Sequence, residues 1–147
     1  MDAARFAAEL PRLFASFTSS ELPLDRSYAR IVADVGGLTR ENNLALLGLA
    51  ASLLAADEAY VEVGTYRGAS LLAALLGNPD ADAVAIDAFT FRDGSAEGLE
   101  RTLRRFGQEG QTRILVGDVF ELVPSGALEG CRVGVWYYDA LHTYEAQ

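Results

Sequence analysis

The sequence is short of several residue types that build common kinds of site. It has one cysteine, one histidine and no lysine in 147 residues. A single cysteine excludes an internal disulfide and a cysteine-cluster metal site. All twelve basic residues are arginine, and the formal net charge is -9. Because nucleic-acid binding needs clustered cations facing the phosphates, this charge balance argues against a nucleic-acid partner.

Long apolar runs are also missing, although half of the residues are hydrophobic. No stretch reaches the roughly 18 apolar residues that a membrane-spanning helix requires. The N-terminus carries an early acid, Asp2, and continues in an amphipathic pattern, which is not typical of a signal peptide. We therefore expect a cytoplasmic protein of one domain's length, with no membrane partner.

The clearest pattern is a strand, a glycine turn and a helix over residues 59–76. Tyr60, Val61 and Val63 favour a short strand, because aromatic and β-branched side chains suit a sheet. Leucines at helical spacing follow the turn, and Gly77 marks the end of that helix.

The turn carries two glycines four positions apart, Gly64 and Gly68, with Glu62 two residues before the first. Glycine lets the chain turn sharply and lets a ligand approach the main chain closely. The amides that open the following helix then face that ligand. A dinucleotide-binding turn would carry a further glycine at the position of Tyr66, and its absence counts against NAD.

Strands and helices alternate along the rest of the chain. The predicted segments are strands at 83–87, 112–116 and 133–138, with helices at about 95–106 and 119–122. This alternation predicts an α/β fold, a Rossmann-like parallel sheet with right-handed crossovers and helices on both faces.

Residues 1–57 read as an N-terminal helical extension to a domain of residues 58–147. Its first helix is expected to kink, or to restart with Pro11 in the first turn. Thr39 is the predicted N-cap of the last helix before the first strand.

Four predicted strands end in an acid: Glu62, Asp87, Asp118 and Asp139. Ligands of open parallel sheets bind at the carboxyl ends of the strands. Packing does not explain unpaired carboxylates at that edge, so together with the glycine turn they predict a ligand site. For Asp118, a plain helix N-cap is an equally open interpretation.

The pattern Glu62-x-Gly64-x-x-x-Gly68 resembles the first motif of the class I S-adenosylmethionine-dependent methyltransferases. The resemblance implies a cofactor site that includes this motif and the turn residues Thr65 and Tyr66. It also implies S-adenosylmethionine as the cofactor.

The groups of S-adenosylmethionine match the polar residues of this edge. Asp87 is placed to accept both ribose hydroxyls, and Asp118 the adenine amino group. Ser70, at the helix start, is expected to hold the methionine carboxylate. Glu62 would orient the turn or the cationic amino end.

A second segment, residues 137–145, is similar to the Ile-Asp-Gly-Asp-His-Ser-Tyr-Glu strand end of a bacterial methyltransferase family. That family is related to the catechol and macrolide-sugar O-methyltransferases. The matching residues are Asp139, His142, Tyr144 and Glu145, whereas Ala140 and Leu141 replace the family's Gly and Asp.

The resemblance implies that Asp139 is a ligand for Mg²⁺ and that His142 is the general base that deprotonates an acceptor hydroxyl. A hard cation prefers carboxylate oxygen, and it lowers the pKa of a bound hydroxyl. Histidine titrates near neutral pH, which suits a base. The competing interpretation is that Asp139 caps a helix beginning near Thr143 and that His142 is an ordinary surface residue.

The sequence departs from this family in its number of strands, which is four where the methyltransferase fold has seven. The family's strand order would leave the fourth strand at an exposed edge. We therefore expect that C-terminal strands are missing and that a further segment or a homo-oligomer completes the sheet.

These features together predict O-methylation of a small hydroxylated acceptor. Two alternatives stay open: a non-catalytic module that uses the fold for assembly, and an NAD-dependent oxidoreductase.

Overall fold

The computed structural model describes residues 1–17, 19, 22–78 and 80–141. Within these residues the chain forms six α-helices and four β-strands. In chain order they are α1 Ala3–Glu9, α2 Ser27–Val35, α3 Glu41–Ser52, β1 Ala59–Val63, α4 Ala69–Leu75, β2 Asp82–Asp87, α5 Ala96–Phe106, β3 Thr112–Val116, α6 Val119–Leu122 and β4 Val133–Tyr138. Short 3-10 segments occupy Leu10–Leu13 and Glu109–Gln111. None of the described helices is long and apolar enough to cross a membrane.

The four strands form one parallel sheet in the order β3-β2-β1-β4. The central strand β1 pairs with both β2 and β4, and Val61 lies beside Val84 on one side and Trp136 on the other. Every residue of β1 is buried, as expected for a parallel strand covered on both faces. The predicted α/β sheet is confirmed, and so is the position of β4 at an edge.

The larger hydrophobic core lies between the sheet and α4. Leu71, Leu72 and Leu75 of α4 are fully buried there. Helices α2 and α3 pack against α4 from outside, and α5 adds Leu99 and Leu103 to the same core. The apolar spacing predicted for the helix after the glycine turn therefore faces the sheet.

A smaller core covers the opposite face of the sheet. It is built from Val61, Val63, Val84 and Ile86, with residues of α6 and the following turns packed against them. The prediction of helices on both faces is confirmed, although α6 is only four residues long.

The N-terminal region packs on the sheet as part of the larger core, which includes Ile31, Leu44 and Ala51. Pro11 lies in the first turn of the 3-10 segment that follows α1, so the predicted restart is confirmed. The prediction of Thr39 as an N-cap is wrong. The N-cap is Arg40, one residue later, with an extended backbone and no capping hydrogen bond from its side chain. Glu41 in the first turn complements the helix dipole instead. The boundary at residue 57 stays a prediction.

The ends of β1 and β4 approach each other most closely at Gly64. Its φ of +87° lies in the left-handed region. A Cβ atom built there would lie 2.4 Å from the carbonyl oxygen of Asp139. Two main-chain hydrogen bonds hold this geometry, from Gly64 to Ile86 at 2.9 Å and from Asp139 to Val63 at 2.8 Å. The turn therefore requires glycine for both its conformation and its space.

We expect Gly64→Ala to destabilise the protein by more than about 2 kcal/mol, because it adds a clash with β4 to the strain of a left-handed alanine. Gly77→Ala is the matched control: its φ is +84° and nothing lies within 4 Å of an added Cβ. It should lose only about 1 kcal/mol. Urea unfolding of both variants measures the difference, and equal losses would show that the close approach of β4 has no energetic weight.

Candidate active site

The acids that the sequence analysis identified lie at the carboxyl ends of the strands. Glu62 is the penultimate residue of β1, Asp87 is the last residue of β2, and Asp139 directly follows β4, and these three strands are neighbours in the sheet. They lie close enough that the charges of Asp139 and Asp87 both contribute to raising the pKa of Glu62. The glycine turn opens at the same edge. Asp118 stands apart at the outer strand β3, where it is exposed.

Glu62 is fully buried between β1 and α4. Its carboxyl accepts a hydrogen bond from the Tyr60 hydroxyl and another from the Ser70 hydroxyl, both at 2.7 Å. Burial raises its pKa to about 8, while these two hydrogen bonds oppose the shift. No cation pairs with Glu62 among the described residues, so the carboxyl keeps its proton at neutral pH.

Asp87, at the end of β2, forms hydrogen bonds with both the glycine turn and the loop that follows β2. Its Oδ2 accepts a hydrogen bond from the amide of Tyr66 at 2.7 Å, and its Oδ1 accepts one from the amide of Phe89 at 2.6 Å. Both partners have a φ near +50°, a region that side chains other than glycine rarely adopt. Each carboxylate oxygen has a second lone pair, so Asp87 can still accept a ligand's hydroxyls.

The glycine turn runs from Gly64 to the start of α4. Gly68 is the N-cap, with a φ of +88°, and a Cβ there would lie 2.6 Å from Cδ1 of Leu99. Thr65 is only 3% exposed, and its hydroxyl has no hydrogen-bond partner among the described residues. An unpaired buried hydroxyl on this turn suits a polar group of a ligand.

Like Glu62 and Asp87, Ser70 and Asp118 have partners within the protein. The Ser70 hydroxyl donates to Glu62, so it supports the buried carboxyl in this structure. Asp118 caps α6, since its carboxylate accepts from the amide of Phe120 at 2.9 Å. The helix-cap interpretation of Asp118 is therefore confirmed. The roles of Ser70 and Asp118 toward a cofactor stay predictions.

The predicted metal and base residues are only partly within the described part of the chain. Asp139 is exposed, and its Oδ2 accepts a hydrogen bond from the Tyr137 hydroxyl at 3.2 Å. His142, Tyr144 and Glu145 lie outside the described residues. Across residues 1–141, apart from the gaps, no group of three histidine, cysteine or acidic side chains can hold a metal ion. The roles of Asp139 as a metal ligand and of His142 as a base therefore stay predictions.

The sequence reasoning missed Asp93, which touches the glycine turn. Its carboxylate accepts hydrogen bonds from the Tyr66 hydroxyl and the Arg67 guanidinium. The only signal was the Asp93-Gly94 pair after the second strand, which indicates a turn but says nothing of what the turn contacts.

The sequence of residues 61–147 matches the profile of the Methyltransferase domain family. The match begins inside β1 and includes the glycine turn and all four acids, Glu62, Asp87, Asp118 and Asp139. A comparison with curated proteins finds no match.

Two solved structures share the fold. Cofactor-bound Rv0187 from MTB is 21% identical with a TM-score of 0.60, and the alignment covers 83% of this chain and 56% of that one. The O-methyltransferase TomG from Streptomyces achromogenes, solved in complex with SAM, is 20% identical with a TM-score of 0.56. Its alignment covers 95% of this chain and 63% of TomG, so this chain spans less than two thirds of either protein.

The family match covers more than half of the chain, and the parallel sheet with its glycine turn is the arrangement that the first motif implied. The chain belongs to the Methyltransferase domain family and has the parallel α/β fold of class I methyltransferases.

Proposed function

We propose that this chain binds S-adenosylmethionine at the carboxyl edge of its sheet and methylates a hydroxyl group of a small acceptor. The observation that carries the proposal is the glycine turn between β1 and α4, with its unpaired Thr65 hydroxyl and the Asp87 carboxylate beside it. The turn lies where the chain order reverses, between β1 and β4, which is where ligands of open α/β sheets bind. TomG in complex with SAM adds support from a shared fold.

Different polar residues at and beside the turn would bind different groups of the cofactor. Asp87 would accept the ribose hydroxyls through the lone pairs that its two amide contacts leave available. Thr65, Tyr66 and the first amides of α4 would face the methionine end. Glu62 would support this end from below through Ser70. Asp118 would accept the adenine amino group while it caps α6.

The second part of the proposed function is the transfer of the methyl group to the acceptor hydroxyl. S-Adenosylmethionine, when bound, supplies an electrophilic methyl group. His142 would take the proton of the acceptor hydroxyl, since imidazole accepts protons near neutral pH. Asp139 would hold a Mg²⁺ ion that lowers the pKa of that hydroxyl. Asp139 is the one predicted ligand among the described residues, so the remaining ligands of such an ion would come from elsewhere.

We also propose what covers the exposed edge strand β4. The exposed side chains of Val133 and Trp136 lie on the edge strand β4. A second copy of the chain, or a further segment, would cover that edge, because an open strand edge promotes association. We infer a cytoplasmic location and a small-molecule acceptor from the same family membership.

We expect isothermal titration to detect S-adenosylhomocysteine binding to this chain and no NAD binding. Asp87→Asn should weaken this affinity more than tenfold, because it loses one acceptor and the negative charge. Asp82→Asn is the control, since it lies on the same strand at the opposite, exposed end. Failure of the wild-type chain to bind S-adenosylhomocysteine would reject the proposed site and favour a non-catalytic module. NAD binding alone would favour an oxidoreductase.

The proton on Glu62 makes stability depend on pH. Its pKa rises from 4.5 in the unfolded chain to about 8 in the folded protein. The folded state therefore holds one more proton between these values, and its stability falls as the pH rises through this window. Glu62→Gln should lack this pH-dependent loss of stability. The wild type should therefore lose on the order of 3–4 kcal/mol of unfolding free energy relative to the variant from pH 5 to pH 8.

Urea unfolding at several pH values measures this difference. Glu129→Gln, which replaces an exposed carboxylate, serves as the control. Its free energy of unfolding should change with pH in the same way as that of the wild type. A constant difference between the wild type and Glu62→Gln from pH 5 to pH 8 would mean that Glu62 is already ionised at pH 5.

The role of His142 is tested by methyl transfer from S-adenosylmethionine to a panel of small phenols and catechols. We expect His142→Gln to lower turnover about 100-fold, a typical contribution of a general base, and to leave the affinity for S-adenosylhomocysteine unchanged. Chelation with EDTA should abolish transfer, and added Mg²⁺ should restore it. Equal losses of turnover and affinity would remove the base role, and full activity in EDTA would remove the metal.

A further inference from the structure

Asp93 joins the loop after β2 to the middle of the glycine turn. Its Oδ1 accepts a hydrogen bond from the Tyr66 hydroxyl at 2.6 Å, and its Oδ2 accepts one from the Arg67 guanidinium at 2.5 Å. These hydrogen bonds lower the pKa of Asp93, so its carboxylate is charged at neutral pH. One side chain thus holds two consecutive residues of the turn.

The ring of Tyr66 is enclosed by the same loop. The Arg67 guanidinium lies 5.2 Å from its centroid, and the Phe91 ring meets it edge-on with centroids 5.5 Å apart. Gly94 completes the enclosure, because a Cβ there would lie 3.0 Å from Cδ2 of Tyr66. These contacts hold the partly exposed ring with its hydroxyl directed at Asp93.

The backbone of Tyr66 adds a reason for such support. Its φ of +52° is unfavourable for a residue with a large side chain, by on the order of 1 kcal/mol. The Asp87 carboxylate holds the amide of Tyr66, and the Asp93 carboxylate holds its hydroxyl. The two carboxylates therefore hold Tyr66 at its main chain and at its side chain.

The geometry points to Asp93 as a positioning residue for the cofactor. Through Tyr66 and Arg67 it locks the loop of residues 88–94 onto the glycine turn, so that the wall of the site is formed before the cofactor binds. Asp93 acts through Tyr66 and needs no contact with the cofactor itself. A wall that is formed in advance raises the affinity, because the loop loses less conformational entropy when the cofactor binds. This inference rests on the proposed function, since it requires that the turn binds S-adenosylmethionine.

Isothermal titration with S-adenosylhomocysteine tests the inference on the full chain. Asp93→Ala and Tyr66→Phe should each weaken the affinity about fivefold, which is the size expected for an exposed charge-assisted hydrogen bond. The double variant should bind about as well as Asp93→Ala, because Asp93→Ala already removes the hydrogen bond that Tyr66→Phe removes. Asp93→Asn keeps an acceptor for the Tyr66 hydroxyl and should retain most of the affinity.

Asp57→Ala is the matched control. Asp57 forms an ion pair with Arg132 at 2.5 Å, the same distance as between Asp93 and Arg67. The side chain of Asp57 is 66% exposed and that of Asp93 is 64% exposed. Asp57 lies at the opposite end of the strands. The affinity of Asp57→Ala should equal that of the wild type, and a purely structural role of Asp93 would likewise change the melting temperature without changing the affinity.

The outcomes separate this inference from the proposed function. If the wild-type chain does not bind S-adenosylhomocysteine, both are overturned. If the wild type binds and Asp93→Ala binds equally well, only the role of Asp93 is overturned. Additive losses in the double variant would show that Asp93 does not act through Tyr66, which also overturns the inference.

Discussion

The close parallel pairing of β1 with β4 is the constraint on which the rest of the structure depends. It brings the main chain of Asp139 against Gly64, where no side chain fits. With β2 on its other side, β1 is buried along its whole length. The turn after β1 consequently emerges between two neighbouring strand ends, and the acids of all three strands converge on it.

The same burial decides the electrostatics of the site. Glu62 lies inside the core layer between β1 and α4, where its partners are two hydroxyl groups and its pKa rises to about 8. Asp87 and Asp93 lie nearer the solvent and receive donors from the main chain, a phenol and a guanidinium. The carboxyl ends of the strands therefore combine a buried acid with a raised pKa below the turn and hydrogen-bonded acids nearer the solvent.

Much of the fold was predictable because its local patterns agree with its packing. The strands β3 and β4 and the helix α5 have the predicted bounds within one residue, since β-branched runs and the cap at Ser95 mark them directly. Thr39 shows the limit of such signals, because a good capping residue next to Arg40 did not become the cap. The strand-end acids were found from strand positions alone, but Ser70 and Asp118 turned out to have partners in the protein.

By itself, the sequence determined the order of strands and helices, the glycine turn, the acids beside it and the family resemblance, because each of these depends on residues close together in the chain. Only the tertiary structure decided that β1 lies between β2 and β4, that Glu62 holds its proton, and that Asp93 reaches Tyr66 across 27 positions. Those features depend on burial and on contacts between distant segments, and neither leaves a periodic or local pattern in the sequence.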